Sequence, residues 1–120
     1  MLRYESSNQI GNRMTTKQVD IGGVTIPAGT NITLFIGSAN RDPDVFDQPD
    51  EFRVHRDPNP HLAFGAGIHT CAGLNVARLE AQVAIEKFMT SYPNFELIGA
   101  PERAHRARFR GFPKLIARLA

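Results

Sequence analysis

The sequence predicts a mixed α+β fold, and three observations carry that reading. Residues 72–89 contain no proline and bear Leu74, Val76, Leu79, Val83, Ile85 and Phe88, the pattern of one long helix that ends before Pro93. Short stretches of strand-like alternation lie on either side of it, within residues 19–36 and again within 95–119. Between the first strands and the helix, residues 41–60 are rich in proline and aspartate, which predicts an ordered meander pinned by packing and side-chain bonds rather than by ladders.

In chain order, residues 2–5 read as the tail of a helix, and Gly11 with the polar run Ser6-Ser7-Asn8-Gln9 stops anything longer. Residues 19–26 read as a hairpin. Val19, Ile21, Val24 and Ile26 flank Gly22-Gly23, a pair suited to the positive φ angles of a tight turn. Pro27-Ala28-Gly29 makes a second turn, and residues 31–36 alternate as a further strand with Ile32, Leu34 and Ile36 on one face. Phe46 and Phe52 are the apolar anchors expected within the meander. The long helix is apolar on more than one stripe, so it calls for several neighbours, more than this chain supplies. Residues 95–98, 106–109 and 115–119 read as short strands. There is no internal repeat and no low-complexity segment.

Composition narrows the classes. At 120 residues and 42% hydrophobic content the chain has the size of one ordinary domain, and it can form some core. It holds no apolar run long enough to span a bilayer, and Met1 is not followed by a basic and then an apolar segment. Neither signal peptide nor membrane anchor is expected, and the expected location is cytoplasmic. The one cysteine excludes an intrachain disulfide, agrees with a reducing compartment and leaves its thiol free for a metal. A net charge of +2 does not argue for a nucleic-acid partner. Charge is uneven, however: Arg103, Arg106, Arg108, Arg110, Lys114 and Arg118 crowd the C-terminal stretch, with Glu102 the only acid among them. Because Arg106, Arg108 and Arg110 alternate with Ala107 and Phe109, a solvated strand face explains them better than a nucleic-acid arm.

That cysteine, Cys71, lies in the run FGAGIHTCAGLNVARLE, spaced Phe64-x-x-Gly67-x-x-x-Cys71-x-Gly73 and leading straight into the helix. Aligned backbone dipoles and unpaired N–H groups at a helix start favour an anionic sulfur, which makes a better metal ligand. Gly65, Gly67 and Gly73 let the backbone bend tightly and approach something flat and large, and Phe64 supplies an apolar wall. Taken alone, a single cysteine reads as a small buried hydrophobe, and its surroundings reverse that reading. A dinucleotide loop is a poorer match, since Thr70 stands where its third glycine would fall and no Lys-Ser/Thr pair follows. A zinc site from His55, His61, His69 and Cys71 lacks the usual ligand spacing.

The run resembles the haem-binding loop of the cytochrome P450 monooxygenases. The likeness extends along essentially the whole chain, in order, as the C-terminal portion of a complete member that begins just after the glutamate of the family's Glu-x-x-Arg motif, with Arg3 as its arginine. The fold it implies is the C-terminal part of the P450 fold: strand region, meander, haem-ligand loop, long helix and terminal short strands, with residues 1–120 as one incomplete piece. It implies haem b (iron protoporphyrin IX) as cofactor and Cys71 as the axial thiolate, which pushes electron density onto iron and favours O–O cleavage. Phe64 matches the aromatic beside the sulfur, and Gly65 belongs to the same loop. Gly73 matches the position that lets backbone N–H groups reach the sulfur and tune the iron. His69 and Arg13 match the partners of the haem propionates, where bidentate arginine–carboxylate pairing is favourable.

The resemblance also places Asn8, Gln9 and Ile10, with Ser7, along the substrate pocket, and Phe109, within residues 108–112, at its other side. Glu51 stands where many members carry an arginine of a buried ion-pair network, so Arg53 or Arg56 is expected in that role. Arg3 is expected to lack a partner if its site is buried. The distal helix with its acid and threonine is absent, for Ala28-Gly29-Thr30 only imitates it in a turn, and there is no tryptophan. The complete enzyme would take electrons from a ferredoxin or flavoprotein and oxidise a small organic substrate with O₂. This chain alone is expected not to turn over. The alternative is a truncated gene remnant, or a non-catalytic haem-binding or interaction module.

Overall fold

The computed structural model describes residues 1–120, and the chain forms two compact units. The first comprises Met1–Ala63 with Arg106–Arg110, the second Phe64–His105 with Gly111–Ala120.

In the first unit, strand β1 (Ile10–Met14) pairs antiparallel with β4 (Asn31–Phe35), Ile10 opposite Phe35 and Met14 opposite Asn31. Strands β2 (Val19–Ile21) and β3 (Val24–Ile26) form the expected hairpin. Its turn residues Gly22 and Gly23 have φ of 56° and 79°, a conformation that glycine alone adopts without strain. Thr30 closes the second turn, its N–H donating to Thr15 Oγ1 at 2.9 Å. The strand expected over 31–36 stops at Phe35, because Ile36 opens a short helix, α1 (Ile36–Ala39). β1 has no clear sequence signal of its own. Its Gly11 is buried, and a Cβ there would sit 3.4 Å from Ile36 Cδ1, so the strand forms where β4 and α1 approach a side-chain-free backbone.

A buried polar knot joins the start of the chain to the meander. Arg3, 4% exposed, donates from Nη1 to the carbonyls of Asn40 (2.7 Å) and Pro49 (2.9 Å), and from Nη2 to Glu51 O (3.3 Å). The expectation that a buried Arg3 would lack partners is thus corrected: carbonyl oxygens, not a carboxylate, accept its protons. Burial first, then the charges of Arg56 and Arg41, pushes Arg3 below the ordinary guanidinium range. Asn40 is fully buried with a partner at each end of its amide, donating from Nδ2 to Ser6 Oγ at 2.7 Å and accepting from Leu62 N at 2.7 Å. Arg41 stacks on Tyr4 (4.3 Å to the ring centroid) and pairs with Asp50, whose hydrogen bond raises it. Of the two arginines expected near this network, Arg53 is on the surface, paired with Glu51 and Asp47, whereas Arg56 donates to Asp47 O and Gln48 O and is close enough to act on Arg3. Phe46 is buried as expected. Phe52 is not: half its surface is exposed, and its ring meets Tyr4 edge-on at 5.4 Å.

The second unit holds a 3-10 turn (Gly67–His69), helix α2 (Leu74–Ser91), and the antiparallel pair β5 (Glu96–Leu97) and β6 (Ala117–Arg118). Helix α2 starts and ends slightly later than its apolar pattern suggests, and none of its residues is buried. Its last turn is held by Phe88, whose ring lies 5.6 Å from Tyr92 and 4.9 Å from Phe95. The strands expected over 95–98 and 115–119 shorten to two residues each, in a segment where Pro101 and Pro113 offer no N–H to a ladder. The strand expected over 106–109, which counts with the first unit, is absent. An isolated bridge, Asn8 to Phe109, replaces it, flanked by Gln9 N donating to Arg108 O and Arg110 N to Ser7 O, both at 2.8 Å. No helix is long and apolar enough to cross a membrane.

Candidate functional site

The glycine-rich loop ahead of α2 is closed by its own backbone. Cys71 N donates to Phe64 O at 2.8 Å, and Leu74 N to Cys71 O at 3.1 Å, so the cysteine joins the loop to the helix start. Gly65 and Gly67 have φ of 73° and 62°. Gly65 could not carry a side chain even if strain were accepted, because a Cβ would come within 2.8 Å of His69 O. Thr70 braces the turn, donating from N (3.0 Å) and Oγ1 (2.8 Å) to Gly67 O.

The thiol of Cys71 is free and exposed. Its Sγ lies 3.9 Å from the point a Gly73 Cβ would occupy, so the sulfur stands over the residue that caps α2. Phe64, whose carbonyl accepts the Cys71 N–H, is half-buried, with the Arg78 guanidinium of α2 5.9 Å from its ring centroid. His69 is exposed, and Ile68 is 97% exposed at the tip of the turn. One loop therefore gathers Phe64, Gly65, His69, Cys71 and Gly73. No three His, Cys, Asp or Glu side chains come together as a bare ion would require. A lone, open sulfur between glycines suits a metal that brings its other ligands in a flat organic frame.

The remaining expected residues belong to the first unit. Asn8 and Phe109 face each other across the isolated bridge, with Gln9 and Ile10 next in line. Asn8 Oδ1 is buried without a hydrogen-bond partner. Gln9 Nε2 donates to Ser6 O. Arg13 is exposed on β1 opposite Ile32, and its Nη1 donates to Asn12 O at 2.8 Å. Sequence reasoning missed two groups. Arg78 follows Leu74 by one helical turn, a spacing that could have placed it over the loop. The closed amide of Asn40 has no local signal, since both of its side-chain partners are distant in the chain.

A family profile described as cytochrome P450 matches residues 1–112. The chain is 49% identical over 96 residues to the biotin biosynthesis cytochrome P450 of Bacillus subtilis, covering 80% of this chain and 24% of that protein. It is 40% identical over 118 residues to cytochrome P450 119 of Sulfolobus acidocaldarius, covering 98% of this chain and 32% of the relative. Among solved structures it superposes on P450BioI in complex with a hexadec-9Z-enoic acid-ligated acyl carrier protein, with TM-score 0.94, 42% identity and coverage of 99% of this chain and 31% of that one. The chain thus spans about a quarter to a third of the length of these relatives.

Fold and loop together define an α+β chain of the haem-thiolate class. The chain belongs to the cytochrome P450 family.

Proposed function

We propose that the chain is the C-terminal, thiolate-bearing part of a haem-thiolate monooxygenase, and the observation that carries this is the exposed Cys71 thiol on a closed, glycine-bent loop at the head of α2. Haem b bound there would supply dioxygen activation, by which the complete enzyme would insert one oxygen atom into an organic molecule and reduce the other to water. Cys71 would supply the thiolate ligand to the iron, its backbone held by the bonds to Phe64 and Leu74. Gly65 and Gly73 would leave the loop bare of side chains where the macrocycle comes close, and Phe64 would add an apolar ring at the start of the loop. Arg13 and His69 would each offer a donor to a haem propionate, as charge-assisted hydrogen bonds. Asn8, Gln9, Ile10 and Phe109 would line one side of the substrate pocket, joined by the Asn8–Phe109 bridge.

The electron donor in this reading is a ferredoxin or flavoprotein, the substrate a small organic molecule, and the location cytoplasmic. The 120 residues do not sustain turnover alone, since the acid and threonine of a distal helix are not among them. Reconstitution of the purified chain with hemin, followed by the ferrous carbon monoxide spectrum, tests the assignment. The expected result is a red-shifted, thiolate-type Soret band that Cys71→Ala abolishes. A histidine-type spectrum indifferent to that substitution overturns it.

A further inference from the structure

We propose that the cleft between residues 98–102 and 113–116 binds a small aliphatic α-amino acid as its zwitterion, with Glu102 taking the ammonium, Lys114 the carboxylate, and Ile98, Leu115 and Ile116 the hydrocarbon side chain. The cleft lies wholly within the second unit, has a volume of about 250 Å³, and is lined by none of the residues of the Cys71 loop. Its volume is below the roughly 300–1,000 Å³ of pockets for drug-sized molecules, so the ligand is small. The chain dictates why a cleft opens here. Two antiparallel segments are tied at both ends: Ile98 N donates to Ile116 O at 2.8 Å next to the β5–β6 pair, and Ala104 N donates to Gly111 O at 2.9 Å. Between the ties stand Pro101 and Pro113, which have no N–H to donate, so the ladder cannot continue and the segments part. Arg103 lies over the Phe112 ring, 4.8 Å from its centroid, and adds a third link between the two segments.

The charges of the cleft identify its ligand. Glu102 is the one acid of the basic C-terminal stretch, yet it pairs with no base: Arg103 meets Phe112, Arg110 pairs with Glu5, and Arg118 pairs with Glu96. Lys114 is equally free, and neither side chain has a hydrogen bond or an ion pair. Glu102 belongs to one segment and Lys114 to the other, and they share the cleft with Ile98, Leu115 and Ile116, each about half exposed. An unpaired acid and an unpaired base in one apolar cleft complement a molecule that carries both charges and a hydrocarbon group. A fatty acid or a simple amine would leave one of the two without a counter-charge, and an uncharged apolar molecule would leave both.

This site does not depend on the P450 reading, and methyl NMR titration of the full chain with L-leucine, without hemin, tests it apart from the haem spectrum. The expected result is saturable shifts of the Ile98, Leu115 and Ile116 methyl groups, with leucine bound several-fold more tightly than isocaproate, which lacks its ammonium, or isoamylamine, which lacks its carboxylate. Glu102→Gln should weaken leucine about three- to fivefold, as loss of an exposed charge contact does, and leave isocaproate unchanged. Lys114→Gln should weaken leucine by a similar factor and leave isoamylamine unchanged. Glu96→Gln removes the same charge as Glu102→Gln, from the exposed pair with Arg118, and should leave leucine binding as it is. No saturable shift at these methyl groups, either analogue bound as tightly as leucine, equal losses in Glu96→Gln and Glu102→Gln, or isocaproate weakened by Glu102→Gln as much as leucine overturns the assignment.

Discussion

Two residues illustrate how much a single position decides here. Asn40 has no charge and no exposed surface, yet its amide serves Ser6 and Leu62 while its carbonyl serves Arg3. A buried amide bonded at both ends offsets much of the cost of its burial, whereas any truncation would leave Ser6 and Leu62 without these partners. Gly65 acts through what it lacks. With φ at 73° and His69 O within 2.8 Å of any Cβ, Gly65→Ala is strained by both backbone and contact, at a cost of about 1–3 kcal/mol. The bond from Cys71 N to Phe64 O closes the loop that this substitution distorts, so amide exchange at Cys71 is expected to accelerate about tenfold or more, with a weaker thiolate-type band in the hemin-loaded variant. Unchanged exchange at Cys71 would show that the loop tolerates a side chain there.

At the scale of elements, helix α2 stands out for being regular without being buried. Its periodic apolar residues and lack of proline account for the helix, while the N-cap Gly73 makes no side-chain bond and the last turn carries no base. What secures its C-terminal end is the contact of Phe88 with Tyr92 and Phe95. Phe88→Ala removes both ring pairs and is expected to cost about 1 kcal/mol or more at that end. Tyr92 N donates to Phe88 O at 2.9 Å, so faster exchange of the Tyr92 amide, with the first turns unaffected, is the measurement that checks it. The hairpin of β2 and β3 is secured differently, by two adjacent glycines with positive φ, and its turn follows from local sequence alone. β1 shows the opposite case. Gly11 and Asn12 argue against a strand, and only the approach of Leu34 and Ile36 to Gly11 makes one.

For the whole molecule, the balance of burial is unusual. Phe46 is the one apolar side chain buried, while Val76, Leu79 and Val83 of α2 are each more than half exposed. Hydrophobic burial is the main favourable term in folding, and exposed apolar patches of this kind mark surfaces made to be covered. The chain is therefore expected to bind an environment-sensitive dye such as ANS and to melt without a sharp cooperative transition. A calorimetric transition whose van't Hoff and measured enthalpies agree would contradict this. The chain corresponds to only a quarter to a third of its relatives, in which the same segment lies within a longer polypeptide.

Much of the candidate site is readable along the chain, because its signals act over a few residues. Glycines at positive φ, a cysteine at the head of a periodic helix and a two-glycine hairpin each constrain only their neighbours, and these features survive in the fold nearly where the pattern puts them. Other features exist only once distant segments meet. Arg3 and Asn40 are bonded across a separation of 37 residues, and Asn40 and Ser6 across 34. The strand β1, the partners of Arg3 and the loss of a strand at 106–109 belong to this group. A polar group's burial and its hydrogen bonds depend on which remote carbonyls and side chains surround it, and no short-range pattern in the chain encodes that company.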